Sequence, residues 1–291
     1  MCNYLCRQYK SSSGRPLMIR DFKTILQDVA QGSGRITVLT GAGISAESGI
    51  PTFRGPEGYW TVGSQEYHPQ EMATYQMFRQ QPDEVWKWYL YRIGICAKAA
   101  PNAGHLALVE MEKLFQNRFT LITQNVDNLH IQAGSSLKHT FQIHGNIFYM
   151  RCADECTQKV HSVPNSLTAG KDREEDLTES ERELLVCKNC EKRTRPHVLW
   201  FDEMYNEDYY RYQSSLNIAA ETELLIVVGT SGSTNLPNQV AWAAKSRDSI
   251  IIDINIQENP FSKIALKSRR GFFVKEPSST ALPRILHILE R

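Results

Sequence analysis

One glycine-rich stretch constrains the fold of this chain more than any other feature. Residues 36–40 form a β-branched apolar run, and residues 41–45 follow it directly with the sequence Gly-Ala-Gly-Ile-Ser. An apolar run that ends in G-x-G-x-x-A is typical of a strand that turns sharply into a helix whose free N–H groups receive a diphosphate. Glycine-rich turns also occur for structural reasons alone, so this fragment by itself leaves both interpretations open.

The residues after this turn favour a nucleotide site of an unusual kind. An ordinary dinucleotide fold places an acidic residue about 20 positions later, where it binds the ribose hydroxyls. Residues 49–55 instead have the sequence Gly-Ile-Pro-Thr-Phe-Arg-Gly. We therefore expect a loop that folds back over a bound ligand and offers the aromatic ring of Phe53 and the fixed charge of Arg54.

Further apolar runs with the character of strands also end in small or polar residues. Helical spacing separates several of them, as in residues 21–30 and in the stretches that begin at Pro82 and Pro101. The strand-like runs are residues 36–40, 119–123, 140–143, 224–228 and 250–254. This alternation predicts an α/β fold with a doubly wound, mostly parallel, Rossmann-like sheet. Because ligands of such sheets bind beyond the carboxyl ends of the strands, the polar residues there are expected to line one crevice.

Residues 151–196 are rich in cysteine and charge and poor in apolar periodicity. Cys152 and Cys156 form one close pair, and Cys187 and Cys190 form a second. Two pairs separated by a long excursion suit four thiolates around one structural zinc ion. The alternative is a redox switch made of the same thiols. The stretch is therefore interpreted as an inserted zinc-binding module.

These patterns predict a domain organisation. At 291 residues the chain is long enough for one large domain with a smaller module attached. We expect a flexible tail at residues 1–20, a Rossmann-like domain made of residues 21–150 and 197–291, and the zinc-binding module at residues 151–196. A helical insertion is expected at about residues 57–100.

Charge and composition argue against several classes of partner. Lysine plus arginine number 33 and aspartate plus glutamate 32, which is unlike a protein that binds nucleic acid through bulk positive charge. No apolar run reaches the length of about 20 residues needed to cross a bilayer, so no membrane partner is expected. Seven cysteines, four of them paired, favour a reducing compartment, and we expect a cytoplasmic protein. Residues 1–20 hold four basic residues and no acid, so a mitochondrial transit peptide is the alternative.

Polar residues at the ends of two runs suggest acid–base chemistry. His144 follows the third run and precedes a glycine, where an imidazole ring can face the crevice. Histidine ordinarily titrates near neutral pH, which suits a general base. Gln124, Asn125 and Asp127 follow the second run and offer amide and carboxylate groups able to hold a sugar and a carboxamide.

Tyr89 and Arg92 lie three residues apart on the helix predicted after Pro82, so a phenol and a guanidinium project from one face. Together they could clamp a carboxylate. From spacing alone, an arginine stacked on Trp88 or paired with a surface acid is the preferred interpretation.

Taken in order, these motifs resemble those of the sirtuins, a family of NAD-dependent protein lysine deacylases, over nearly all of residues 21–291. The motifs that carry the resemblance are residues 41–45, 49–54, 123–127, 143–145 and 229–231 and the two cysteine pairs. The resemblance implies NAD as a co-substrate, a structural zinc ion, and the acylated lysine side chains of proteins as partners. A monomer is expected.

The resemblance also assigns roles to individual residues. It makes His144 the general base and adds Asn125 and Asp127 to the catalytic centre. The acyl peptide is expected to add as a strand along residues 197–203. Contacts with that peptide are implied for Val198, Trp200 and Phe201. The implied cofactor-binding residues are Gly41, Ala42, Gly43, Ser45, Phe53, Arg54, Gln124, Asn125, Asp127, Gly229, Thr230, Ser231, Asn255 and Ser278.

The implied chemistry consumes NAD. The acyl oxygen attacks the ribose carbon that bears nicotinamide, and nicotinamide leaves. His144 then takes a proton from a ribose hydroxyl, whose oxygen attacks the imidate carbon, and water completes the transfer. The products are free lysine, nicotinamide and O-acyl-ADP-ribose. The alternative is an NAD hydrolase or ADP-ribosyltransferase that uses the same pocket.

The resemblance extends to one branch of the family, and the sequence departs from the family pattern at three places. The helix of Tyr89 and Arg92 matches the one from which the desuccinylase-like branch sends both side chains into the acyl channel, which implies a preference for succinyl, malonyl and glutaryl over acetyl groups. Asp202 stands where the family usually has glycine, and residues 229–237 are one residue longer than usual. The first cysteine pair has three intervening residues in place of the commoner two.

Overall fold

The computed structural model describes residues 19–51, 60–62 and 65–291, and it describes the side chains of residues 22–51 and 67–291. The residues Phe53 and Arg54 lie outside the described residues. The strands are β1 (Arg35–Thr40), β2 (Trp60–Val62), β3 (Gln65–Tyr67), β4 (Phe119–Thr123), β5 (Thr140–Gln142), β6 (Gly145–Cys152), β7 (Val160–Ser162), β8 (Thr194–Val198), β9 (Thr222–Val228), β10 (Ile250–Ile254) and β11 (Gly271–Val274).

Thirteen helices belong to the described residues. They are α1 (Ile19–Gln31), α2 (Gly43–Ala46), α3 (Pro69–Met72), α4 (Tyr75–Gln80), α5 (Pro82–Lys98), α6 (Ala103–Phe115), α7 (Leu129–Ala133), α8 (Glu179–Leu184), α9 (Glu207–Tyr210), α10 (Tyr212–Glu221), α11 (Asn235–Ser246), α12 (Pro260–Lys267) and α13 (Ser278–Leu289), with a 3₁₀ turn at Gln116–Arg118. None of them combines the length and apolarity of a membrane-spanning segment.

Six parallel strands form the central sheet in the order β11-β10-β9-β1-β4-β5. The chain therefore starts in the middle of the sheet and winds outward in both directions. Alternate residues of each strand point to opposite faces, and both faces are buried, as expected of a parallel sheet. On one face the strands pack against α1, α6 and α13, and on the other against α10, α11 and α12. This architecture confirms the predicted α/β fold.

A second unit packs beside the strand ends of the central sheet. Strands β7, β6 and β8 form an antiparallel sheet whose outer ends carry the four paired cysteines. Its apolar side shares one hydrophobic core with α4 and α5, in which Trp86, Trp88 and Trp200 are each about 1% exposed. This shared core joins the cysteine-bearing sheet to α5.

The helical insertion expected at about residues 57–100 contains a pair of short strands as well as helices. Helices α3 and α4 are present, but Trp60–Val62 and Gln65–Tyr67 pair as an antiparallel ladder. The stretch around residues 171–183 is rich in charge. It contains α8, and the Lys171 ammonium donates to the Glu181 carboxylate at 3.0 Å.

Candidate active site

The glycine-rich turn lies against the end of the neighbouring strand in the central sheet. The Gly41 N–H donates to the Val228 carbonyl, and the Gly43 N–H donates to the Gly229 carbonyl at 2.8 Å. A Cβ on Gly43 would lie 2.6 Å from the Gly229 Cα, and Gly229 itself has a φ of +59°. Glycine is required here because the two loops could not otherwise approach so closely. Ala42 is half-buried on the same turn.

Gln124 links three strand ends at the floor of this crevice. Its Nε2 donates to the Thr230 hydroxyl at 2.9 Å and to the Thr40 carbonyl at 3.2 Å. Its Oε1 accepts a hydrogen bond from the Thr234 hydroxyl at 3.0 Å. The side chain is therefore fixed from both ends.

A buried polar network lies beneath the glycine-rich turn. The Asn125 amide donates to the Ser45 hydroxyl at 3.0 Å, and the His105 Nε2 lies 3.4 Å from the same hydroxyl. Asp127 accepts from the Leu129 N–H at 2.9 Å. Burial raises the pKa of Asp127, while hydrogen bonds from Ser45 and the Leu129 N–H oppose this rise. The network places a carboxylate and two amide or hydroxyl groups beside the turn.

His144 lies half-buried at the end of β5, and both of its ring nitrogens have partners. Nδ1 lies 3.0 Å from the Gln124 carbonyl oxygen, and Nε2 lies 2.8 Å from the Tyr205 hydroxyl. A carbonyl oxygen only accepts hydrogen bonds, so Nδ1 carries the proton and Nε2 carries the lone pair. Burial lowers the pKa of His144 to about 4, although the hydrogen bond to Gln124 opposes this. The ring is thus neutral at pH 7, with Nε2 as its basic atom.

The remaining cofactor-binding candidates lie along the ends of β9, β10 and α13. The Asn255 amide donates to the Thr230 carbonyl at 3.0 Å. The exposed Ser231 hydroxyl lies 3.0 Å from that of Ser233. Ser278, on the first turn of α13, donates to the Glu47 carboxylate at 3.2 Å. These residues continue the crevice away from His144, whereas the predicted contribution of Phe53 and Arg54 falls outside the described residues.

The segment predicted to bind peptide continues from β8 past His144. The Leu199 N–H donates to the His144 carbonyl at 3.0 Å. Val198 is buried in the pairing with β6, and the indole of Trp200 is buried under the Arg195 guanidinium, whose Cζ lies 3.5 Å from the ring centroid. Phe201 is 56% exposed. Of the three side chains, that of Phe201 is thus the one presented to solvent.

Two residues of this segment hold its shape, and sequence reasoning did not identify either as functional. Glu203 accepts hydrogen bonds from both terminal nitrogens of the Arg195 guanidinium and from the Trp200 N–H. A bidentate pair of this kind fixes orientation as well as charge. The pair closes a turn over residues 200–203, which sets the course of the backbone that follows β8.

Tyr89 and Arg92 lie on one face of α5, near the second core. The Tyr89 hydroxyl accepts a hydrogen bond from the Trp200 indole N–H at 2.9 Å, and burial raises the pKa of this phenol. The Arg92 Cζ lies 5.3 Å from the Trp88 ring centroid. Arg92 also borders a cleft with apolar walls that include Ile50 and Ile95, and its charge acts to lower the pKa of Asp127. The cleft therefore adjoins the polar network of the crevice.

The four paired cysteines converge at the end of the antiparallel sheet. All four sulfur atoms lie within 4.8 Å of one another, and the Cys152–Cys190 and Cys156–Cys187 Sγ distances are both 3.6 Å. Four sulfurs each about 2.3 Å from a tetrahedral zinc ion lie roughly 3.8 Å apart, so the donor set fits one such ion. Backbone N–H groups of Asn189 and Cys190 lower the pKa of Cys187 to about 7, which favours a thiolate ligand. A fully occupied thiolate shell makes the metal structural.

Comparison with known proteins decides the family. The Sir2 family profile matches residues 41–235, which include the glycine-rich turn, Gln124, His144 and all four paired cysteines. The chain belongs to the Sir2 family. This confirms the resemblance drawn from the sequence motifs.

Relatives match this Sir2 family chain over nearly its whole length. A protein of Leptospira interrogans named NAD-dependent protein deacylase is 39% identical over 269 residues, 92% of this chain and 97% of the relative. A protein of the same name from Aquifex aeolicus is 39% identical over 254 residues, 87% and 95% of the two chains. The solved structure of a Sir2 homolog–NAD complex has a TM-score of 0.74 at 31% identity and covers 92% of this chain and 93% of its own.

Tyr205 is the residue of this Sir2 family site that sequence reasoning missed most completely. It lies outside every motif that carried the resemblance, two residues after Glu203. Tyr205 contacts both the predicted base and the lengthened 229–237 stretch. Their contact depends on folding, so the sequence did not connect them.

Proposed function

We propose that this chain is an NAD-dependent protein lysine deacylase, which removes acyl groups from lysine and releases nicotinamide and O-acyl-ADP-ribose. The observation that carries the proposal is His144, a neutral imidazole whose Nδ1–H is fixed by the Gln124 carbonyl and whose basic Nε2 lies in the crevice. The names of the relatives from Leptospira interrogans and Aquifex aeolicus support it.

The crevice suits a dinucleotide in its shape and in its polar groups. The close approach of Gly43 to Gly229 leaves backbone rather than side chains at the strand ends. Ser45, Asn125 and Asp127 place hydroxyl, amide and carboxylate groups at one end, while Asn255 lies toward the other. We assign the nicotinamide and its ribose to the first end and the adenine half to the second. Bound there, NAD supplies a ribose carbon that becomes electrophilic as nicotinamide leaves.

The residues of the chain then have separate tasks. With NAD bound, Asn125 and Asp127 would lie beside the carbon that gains positive character, where preorganised dipoles are most effective because burial keeps them dry. His144 offers, at Nε2, the base that activates the ribose hydroxyl for attack on the acyl carbon. The backbone that follows β8 offers an edge along which an acylated peptide adds as a strand.

One assay tests the proposal against NAD hydrolysis. Nicotinamide release is measured with and without an acyl-lysine peptide, using the full chain. We expect release to require the peptide and to match the formation of O-acyl-ADP-ribose one to one. Release that proceeds equally without peptide would contradict deacylation and support an NAD hydrolase.

The finer part of the proposal concerns the acyl group. We propose that Arg92, assisted by Tyr89, selects succinyl, malonyl and glutaryl groups over acetyl. Arg92 borders a cleft with apolar walls, where a guanidinium pairs with a carboxylate more strongly than in water. A second guanidinium, that of Arg173, borders the same cleft, with its Cζ 4.6 Å from the Tyr91 ring centroid. Two positive charges beside one apolar cleft favour an acidic acyl group.

Replacement of Arg92 tests this preference. In Arg92→Met the ratio of kcat/KM for succinyl over acetyl peptide is expected to fall by about 10-fold or more, since a charge-assisted bidentate pair contributes about 1.5–3 kcal/mol. Arg79→Met, on the exposed side of α4, is the matched control and is expected to keep the wild-type ratio. A wild-type ratio in Arg92→Met would rule out this role for the guanidinium.

A further inference from the structure

The hydroxyl of Tyr205 is hydrogen-bonded to Nε2, the basic atom of His144. It lies 2.8 Å from Nε2, and the two ring centroids are 5.8 Å apart. Since Nδ1 carries the ring proton, Tyr205 donates this hydrogen bond and Nε2 accepts it. An imidazole nitrogen has a single in-plane lone pair. Another hydroxyl can therefore reach the base only by displacing Tyr205 or by acting through it.

Several contacts hold Tyr205 in this position. Burial raises its pKa to about 12, while contacts with the Thr234 hydroxyl and the Leu236 N–H act in the opposite direction. Its ring stacks on that of Tyr212, with centroids 6.2 Å apart. Displacement of the phenol would leave the Leu236 N–H without this acceptor and would disrupt the stacking. Leaving Tyr205 in place avoids both costs.

The segment that holds Tyr205 is itself tied to the crevice. The Thr234 hydroxyl donates to Gln124 Oε1 at 3.0 Å, and the Gln124 backbone carbonyl accepts from His144 Nδ1. The four residues Tyr205, Thr234, Gln124 and His144 therefore form a closed ring of contacts. This ring joins the lengthened 229–237 stretch to the imidazole at both of its nitrogens.

We propose that Tyr205 is a catalytic residue that relays the proton of the attacking ribose hydroxyl to His144. The inference rests on the proposed deacylase function. In one concerted step the ribose O–H proton passes to the Tyr205 oxygen, and the Tyr205 proton passes to His144 Nε2. Tyr205 ends neutral, as it began, and His144 becomes an imidazolium. The ribose oxygen retains the electron pair with which it attacks the acyl carbon.

The substitution Tyr205→Phe separates this role from a structural one. Peptide-dependent exchange of labelled nicotinamide into NAD precedes the proton transfer, so it is expected to stay within about two-fold of wild type. Formation of O-acyl-ADP-ribose is expected to fall by about 100-fold or more, the usual contribution of a positioned proton-transfer group. The matched control is Tyr212→Phe, which removes the hydroxyl of the stacked neighbour that bonds Gln239. Both rates are expected to be unchanged in that control.

Two kinetic results in Tyr205→Phe would overturn the relay. Product formation at the wild-type rate or faster in Tyr205→Phe would mean that the phenol is displaced or merely obstructs the base. An equal fall of exchange and product formation would indicate a structural role. Loss of folding in Tyr205→Phe is checked by circular dichroism. If this variant does not fold, the ¹⁵N resonance of His144 Nε2 in the wild-type protein provides the second measurement.

The hydrogen bond itself can be tested in the absence of substrates. In ¹⁵N spectra of the histidine side chains, Nε2 of His144 is expected to resonate as a hydrogen-bonded acceptor in wild type and to shift toward a free acceptor in Tyr205→Phe, but not in Tyr212→Phe. An unchanged Nε2 resonance would refute the contact on which the relay depends. A wild-type protein without peptide-dependent nicotinamide release would instead refute the deacylase proposal, so the two failures are distinguishable.

Discussion

At the scale of single residues, Asp202 ties the backbone that follows β8 to helix α4. Its carboxylate accepts the N–H groups of Tyr75 at 2.7 Å and Gln76 at 3.0 Å, at a helix start where such groups have no partner within the helix. Its negative charge is also favourable there because of the helix dipole. The neighbouring Phe201 N–H donates to the Ala73 carbonyl at 3.0 Å. Asp202 therefore fixes the segment proposed to bind peptide.

Replacement of this carboxylate affects both stability and peptide binding. Asp202→Ala is expected to lower the free energy of unfolding by about 1 kcal/mol, as loss of a helix cap does. It is also expected to raise the KM for acyl peptide more than it lowers kcat, because the chemistry of His144 is untouched. Urea denaturation and steady-state kinetics measure the two effects. Asp208→Ala, at an exposed acid of the next helix, is the control, and an equal effect there would contradict the prediction.

Residues whose positions follow from the local sequence could be identified before the fold was known. The positions of Gly41, Gly43 and Gly229 follow from strand ends and turns, so the sequence could place them. Tyr205 could not be placed, because its role depends on a contact with His144 across 61 residues. The cap formed by Asp202 spans 127 residues and was beyond sequence reasoning for the same reason.

At the scale of elements, long apolar runs were predicted well and short ones were not. Strands β4 and β10 have the predicted bounds, because five-residue runs that are mostly apolar or β-branched and are flanked by polar residues leave little ambiguity. Strand β11 has four residues and was not predicted. The β2–β3 pair, with three residues in each strand, was also missed. Such short segments become strands through pairing with neighbours and carry too little pattern of their own.

Removal of the metal should loosen the antiparallel sheet and the core that it shares with α5. Wild-type protein is expected to contain one zinc ion per chain, and Cys187→Ser to contain none. The loss should lower the Tm by about 5 °C or more, because the free energy of metal binding to the folded site adds to the free energy of folding. Cys2→Ser leaves the four paired cysteines intact and is the control. A zinc-free Cys187→Ser protein with the wild-type Tm would show that the metal does not stabilise the fold.

At the scale of the whole molecule, several buried histidines couple folding to pH. Burial lowers the pKa of His105, His144 and His197 to about 4 and lowers that of His130 well below its usual value. The unfolded chain, with histidine pKa values near 6.5, binds these protons first as the pH falls, so this stability is lost below about pH 6.5. Two carboxyl groups act in the opposite sense, because burial raises the pKa of Asp253 to about 7 and also raises that of Asp127.

The balance of these groups predicts how stability changes with pH. The four histidines favour the unfolded state on acidification and Asp253 favours the folded state, so unfolding is expected to take up about two to three protons between pH 6 and 5. The free energy of unfolding should then fall by roughly 3 kcal/mol per pH unit in this range.

The substitution His197→Gln tests this balance. It removes one of the four histidine sites and should reduce the slope by about 1.4 kcal/mol per pH unit. His287→Gln, at an exposed histidine of α13, should leave the slope unchanged. Urea unfolding at pH 7, 6 and 5 measures all three proteins, and a wild-type slope in His197→Gln would show that burial of this ring does not couple folding to proton uptake.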